Sequence, residues 1–226
     1  MKSVSVVIPA YNEEQYITET IEAIKKVQGV KQIIVVDDGS KDNTAKLAVD
    51  AGAEVIRLEH NKGKGNALNL GCLQCDQELI ALVDADLGAS AGELAKLIEP
   101  VASGTADMTI ATFPKIRKKG GLGLVKALAN MGLRIYARQK LMEPLSGQRV
   151  MNRQVFAEVF PFASGFGVEI AATLKAFKKG FVVKEIATKM YHRETGKNIS
   201  GFKHRGKQFY HILKALFKIR ISRSKI

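Results

Sequence analysis

Tryptophan is absent from these 226 residues, proline occurs only 5 times and cysteine only twice. No stretch approaches the roughly 18–20 uninterrupted apolar residues that a membrane-spanning helix requires. The two cysteines, Cys72 and Cys75, stand C-x-x-C in a helix-patterned stretch. With no second Cys/His pair at zinc-ligand spacing, they read as small packing residues. Neither G-x-x-x-x-G-K-[ST] nor a G-x-G-x-x-G after the first strand occurs, which excludes a Walker loop and argues against a dinucleotide site. The opening MKSVSVVIPA enters a strand-like run without a cleavable signal pattern, so a cytoplasmic protein is expected.

Acidic residues are scarce in one half only. Residues 1–113 carry 10 Lys/Arg against 17 Asp/Glu, whereas residues 114–226 carry 25 against 5. The net charge of +13 therefore belongs to the second half. From Gly201 onward there are 8 Lys/Arg and no acid, which suits an anionic partner or a solvated basic face. What remains is ordinary: 46% apolar and 25% charged residues with 20 glycines, a composition that excludes disorder and collagen. At roughly 100–200 residues per domain, one domain over 1–226 is expected.

Short β-branched runs alternate with helical patterns through the first half. Strands are expected at 3–8, 32–36, 53–58, 78–83 and 107–113, with helices at 13–28, 42–51, 65–76 and 91–102. This alternation predicts an α/β fold of three layers, with a mainly parallel central sheet that binds ligands beyond the carboxyl ends of its strands. Beyond a basic glycine-rich stretch at 115–121, a helix near 122–142, a short strand near 181–187 and a final helix near 202–219 complete the expectation.

Three polar loops should converge on that edge: Pro9-Ala10-Tyr11-Asn12-Glu13-Glu14, Asp37-Asp38-Gly39-Ser40 and Asp84-Ala85-Asp86. Two carboxylates at the end of a buried strand repel each other unless a cation lies between them. Mg²⁺ takes one or two carboxylates together with substrate phosphates, although an Asp at a strand end also serves as a turn or cap residue. In Asn61-Lys62-Gly63-Lys64-Gly65-Asn66-Ala67 the glycines allow backbone N–H groups to approach an anion and Lys64 adds charge; the plainer alternative is a basic turn.

Taken together, VSVVIPAYNEE (4–14), VVDDGSKDNT (35–44), NKGKGNALNLG (61–71) and LVDADL (82–87) resemble the family 2 glycosyltransferases of the GT-A fold. SGQRVMNR (146–153), GFGVEI (165–170) and HRETGK (192–197) resemble acceptor-side elements of polyprenol-phosphate sugar transferases and glucosyl-3-phosphoglycerate synthases. The resemblance implies a transferase moving one sugar from a nucleoside-diphosphate sugar to a phosphorylated or membrane-associated acceptor, with Mg²⁺ or Mn²⁺ as cofactor. The first of those subgroups inverts at the anomeric carbon and the second retains. It further implies that Pro9, Ala10, Tyr11 and Glu13 hold the nucleoside, that Asp38 bonds its base, and that Lys64 and Ala85 lie near the donor. Asp84 and Asp86 would hold the metal, with His192 a further ligand or an ordinary loop histidine.

Glu169 is the candidate carboxylate facing sugar or acceptor, or else a residue favoured at a helix N-terminus. Gly147 and Gln148 would belong to the acceptor or donor-sugar loop. Arg149 and Arg193 suit a phosphate by their bidentate geometry, or a salt bridge. The missing tryptophan removes the Q-x-x-R-W signature of processive polysaccharide synthases. In the tail, Phe209, Ile212, Leu213, Leu216 and Phe217 recur at helical spacing among lysines. That helix would lie on the inner face of the cell membrane or pack on the domain. Competing readings are a catalytically silent nucleotide-sugar binder and a nucleic-acid module, the latter disfavoured because few aromatics interleave the basic run.

Overall fold

The computed structural model describes residues 2–114, 123–163 and 167–191, with side chains at 123–125 left aside. The expected glycine-rich stretch at 115–121, His192, Arg193 and the tail 201–226 lie outside these residues.

In chain order the elements are β1 (Val4–Ala10), α1 (Ile17–Lys25), β2 (Val30–Asp37), α2 (Thr44–Asp50), β3 (Glu54–Arg57), α3 (Lys64–Cys72) and β4 (Leu79–Leu82). A 3₁₀ turn (Gly88–Glu93) leads into α4 (Leu94–Ala102), followed by β5 (Met108–Thr112) and α5 (Gly123–Ala137). The chain then forms β6 (Arg149–Asn152), α6 (Arg153–Val159), α7 (Val168–Lys178) and β7 (Val183–Ala187). The strands make one sheet in the order β3-β2-β1-β4-β6-β5-β7. Every pairing is parallel except those of β6, which runs against both β4 and β5.

Alternation along the strands divides the core between two faces. Val6, Ile8 and Val35 pack with Ile17, Ile21, Ile24, Leu94 and Leu97 under α1 and α4. Val7, Ile34, Val36 and Ile80 pack with Leu68, Leu133, Val155 and Leu174 under α3, α5, α6 and α7. The expected three layers are present, and each fully buried isoleucine of α1 contributes about 1.5–3 kcal/mol by leaving water. Cys72 lies inside the second core and Cys75 is half-buried, both as free thiols.

Boundaries differ from expectation where side chains intervene. The first helix starts at Ile17 rather than near 13, because residues 12–14 are tied to the loop after β2. The helix expected to 142 stops at Ala137, where Arg138 adopts φ 54. Strand β6 and helix α6 were not expected. A four-residue strand opening with a buried arginine carries no apolar pattern, although Asn152 caps α6 by accepting the Val155 N–H at 2.9 Å.

Candidate active site

The loops after β1 and β2 are joined side chain to backbone. The Asn12 N–H donates to Ser40 Oγ at 2.9 Å, the Glu13 N–H to Thr44 Oγ1 at 2.8 Å, and the Lys41 N–H to Asn12 Oδ1 at 2.9 Å. Ala10 is thereby buried and Pro9 and Glu13 half-buried, while Tyr11 stands 43% exposed at the rim.

Asp38 is buried, and its two carboxylate oxygens accept the N–H groups of Lys62 and Gly63, each at 2.7 Å. It therefore builds the loop that precedes α3. Gly39 makes the close approach possible: at φ +76, a Cβ there would lie 2.8 Å from the carbonyl carbon of His60. The loop delivers Lys64, the first residue of α3, to the middle of the carboxyl edge.

Lys64 Nζ lies 2.7 Å from Asp84 Oδ1 and 3.2 Å from Glu169 Oε1. Burial opposes its charge, but the Asp84 and Glu169 carboxylates outweigh that and hold the ammonium above the ordinary lysine range. Asp84 also accepts the Gln148 side-chain N–H on Oδ2 at 2.9 Å. Gly147 lies against the same group, where a Cβ would come within 2.6 Å of Lys64 Nζ and 2.9 Å of Asp84 Oδ2. The reversed direction of β6 explains how residues 147–148 reach Asp84, since Arg149 pairs with Leu82 and the chain before it lies beside the end of β4.

Asp86 is half-buried on the same turn. Thr20 of α1 fixes that turn from beneath: its hydroxyl donates to the Ala85 carbonyl at 2.8 Å and accepts the Gly88 N–H at 2.9 Å. Thr20 carried no sequence signal, because its role depends on α1 passing under the loop.

The expectation that Arg149 meets a phosphate is corrected. Its side chain is 1% exposed and donates to the Ser146 carbonyl at 2.9 Å, Thr173 Oγ1 at 2.7 Å and the Pro144 carbonyl at 3.3 Å. Burial pushes its pKa down to about 10, partly offset by Glu169, so the guanidinium remains charged at neutral pH. Thr173 Oγ1 in turn donates to the Glu169 carbonyl at 2.8 Å. Arg149 thus positions both the 146–148 segment and the first turn of α7, where Glu169 is 7% exposed.

Asp84 and Asp86 together offer a hard cation two carboxylates. Among the described residues no cluster of three His, Cys, Asp or Glu side chains is placed to hold a metal. Such a pair fits Mg²⁺ or Mn²⁺ when the ligand supplies further oxygens, as a diphosphate does. The structure brings together Lys64, Asp84, Gly147, Gln148 and Glu169, with Asp86 two residues on along the same turn and Pro9 to Glu13 and Asp38 along the adjoining rim.

A sheet of this order with its polar loops gathered on one edge is the architecture of the GT-A glycosyltransferases. A crystal structure of glucosyl-3-phosphoglycerate synthase from Mycobacterium tuberculosis, in complex with Mn²⁺, UDP and phosphoglyceric acid, superposes with a TM-score of 0.80 at 25% identity, covering 96% of this chain and 78% of that one. The family described as Glycosyl transferase family 2 matches residues 5–160, and the chain belongs to it: it is a glycosyltransferase. Uncharacterized protein MJ1222 of Methanocaldococcus jannaschii is 32% identical over 213 residues, covering 88% of this chain and 87% of that protein. The glucosyl-3-phosphoglycerate synthase of Mycolicibacterium smegmatis is 32% identical over 198 residues, covering 79% of this chain but 65% of the synthase.

Proposed function

We propose that this chain moves a single sugar from a nucleoside-diphosphate sugar to a small phosphorylated acceptor, with Mg²⁺ or Mn²⁺ held by Asp84 and Asp86. The observation that carries this reading is the meeting of Lys64, from the first half of the chain, with Asp84 and Glu169 at one point of the carboxyl edge. A similar solved structure at 26% identity and TM-score 0.77, again glucosyl-3-phosphoglycerate synthase, holds Mn²⁺, UDP-glucose and phosphoglyceric acid, which supports both the donor class and the acceptor class.

In this reading Pro9, Ala10, Tyr11, Glu13 and the loop built by Asp38 border the nucleoside. Lys64 and the N-terminal end of α3 supply positive potential beside the diphosphate. When bound, the divalent cation takes up charge that develops on the departing nucleoside diphosphate. Glu169 faces the sugar or acceptor, and its orientation is set by Lys64 and by the Arg149–Thr173 link. Among the described residues no helix is long and apolar enough to cross a membrane.

The test is thermal unfolding with UDP, GDP and their sugars, with and without Mn²⁺. A ligand of the native state at about 100 times its Kd adds about 2.7 kcal/mol, a rise of roughly 5–10 °C for a domain of this size. One nucleotide should give a metal-dependent rise that Asp84→Asn and Asp86→Asn remove, with sugar transfer falling about 10²-fold or more. Unchanged turnover in both variants would refute the assignment, and no rise with any nucleotide would favour a silent member of the same fold.

A further inference from the structure

Helix α5 buries one stripe, Ala129 and Leu133 with Leu128, Tyr136 and Ala137 partly covered, and leaves a second apolar stripe in water. Met131 is 51% exposed and Ile135, one turn on, 59% exposed; Met142, just past the helix, is also 59% exposed. Arg134, Arg138, Gln139 and Lys140 are exposed beside them. From Gly123 to Met142 there are 4 Lys/Arg and no Asp/Glu, and Glu185 of β7 accepts the Met142 N–H at 2.7 Å.

Arg138 adds an independent observation. Its N–H donates to the Arg134 carbonyl at 3.2 Å, and its φ of 54 places it in the left-handed position where a helix usually ends on glycine. An arginine there accepts backbone strain that glycine would avoid, which directs attention to what its side chain does.

We infer that the face formed by Met131 and Ile135, rimmed by Arg134, Arg138 and Lys140, is a contact surface for an anionic lipid bilayer. Charge decides between occupants. A second copy of the chain docking symmetrically would oppose these three cations with three more. The segment 201–226, with 8 Lys/Arg and no acid, would meet the face with the same sign. The phosphates of a nucleic acid would pair with the cations and leave most of the thioether and aliphatic stripe in water. An anionic lipid interface accepts both parts, the apolar stripe entering the acyl boundary and the cations remaining among the headgroups. The surface also continues into the site: Leu141 donates its N–H to Asn130 Oδ1 at 3.0 Å, and Lys126 Nζ pairs with Glu143 at 2.8 Å, only three residues before Ser146.

The missing tryptophan supplies the experiment. In the full chain, Ile135→Trp places a single indole on the stripe, while Val49→Trp, at a 57% exposed position on α2, is the control. With vesicles of phosphatidylcholine containing about one third phosphatidylglycerol at about 0.1 M salt, the emission of Ile135→Trp should shift to the blue and that of Val49→Trp should not. Pure phosphatidylcholine should shift neither. In sedimentation with the anionic vesicles, Met131→Ser/Ile135→Ser should lower the partition coefficient about tenfold, with the thermal midpoint unchanged because both residues are exposed. No shift for Ile135→Trp, an equal shift for Val49→Trp, or undiminished binding of the double variant would overturn the inference. The nucleotide-dependent thermal shift is read without vesicles, so failure of the donor reading is scored separately.

Discussion

Lys64 is where the two halves of the chain are held together electrostatically, since it bridges the strand-end carboxylate Asp84 and the helix carboxylate Glu169. Removing one member of a mostly buried charge cluster leaves the others uncompensated, so Lys64→Met should lower stability by about 1–3 kcal/mol, measured by urea unfolding. The sign of its pH dependence follows from the raised pKa. A cation bound more tightly to its proton when folded contributes fully below the ordinary lysine value and loses that contribution as pH rises through the higher folded value. The gap between wild type and Lys64→Met should therefore stay constant from about pH 7 to about pH 10, and a gap that closes by mid-range would contradict the cluster. Thr20 makes a different contribution. Thr20→Val keeps the shape but removes the bonds to the Ala85 carbonyl and Gly88 N–H, and should weaken Mn²⁺ binding in calorimetric titration while costing about 1–3 kcal/mol of stability.

At this same scale the sequence was unevenly legible. Asp84 and Asp86 stand out because an apolar run leads directly into them. Gly147 and Gln148 could be placed near the site only by resemblance, since they reach Asp84 through the reversed direction of β6. Arg149 misled for a physical reason: a guanidinium's planar fork suits a phosphate and a set of backbone carbonyls equally well, and only the fold shows which it meets. Thr20 and Thr173 gave no signal, because a threonine hydroxyl gains its role from whatever element passes within hydrogen-bond reach.

Among the elements, α3 is tightly seated. A Cβ on Gly71 would lie 2.5 Å from Val7 Cγ1 and 2.9 Å from Val36 Cγ2, so the helix rests directly on β1 and β2. Gly71→Ala must push the helix outward or rotate two core valines. The expected cost is about 1–3 kcal/mol in denaturant unfolding, despite alanine's better helix propensity. Because Lys64 sits at the other end of this nine-residue helix, the same substitution should also raise the Mn²⁺-nucleotide Kd. The strands of the first half were legible as apolar runs. Helix α7 was visible only as its opening GFGVEI, and α6 not at all, because seven residues hold too few turns to establish a period.

Across the whole molecule, the sheet is covered on both faces at its centre and thinly at its margins. Val4 to Ile8 of β1 and all of β4 are buried, whereas β3 and β7 consist of exposed and half-buried residues. Native-state hydrogen exchange should therefore find the slowest amides in β1, β2 and β4 and much faster ones in β3 and β7. Uniform protection across the sheet would contradict a core organised around its middle strands. The charge division seen in the composition has a spatial counterpart: the acid-rich half supplies Asp84 and Asp86, and the basic half supplies the α5 face and Arg149.

The antiparallel course of β6 has one more consequence. Asp84 is gripped on one oxygen by Lys64, which opens α3, and on the other by Gln148, which belongs to the later half of the chain. Under the proposed roles, an acceptor that rearranges Gln148 should change the affinity of a donor bound through Lys64, and by thermodynamic reciprocity the donor should change acceptor affinity by the same factor. The coupling thus passes through a single carboxylate: saturation with one substrate should change the dissociation constant of the other, and the two titrations, run in either sequence, should close one cycle.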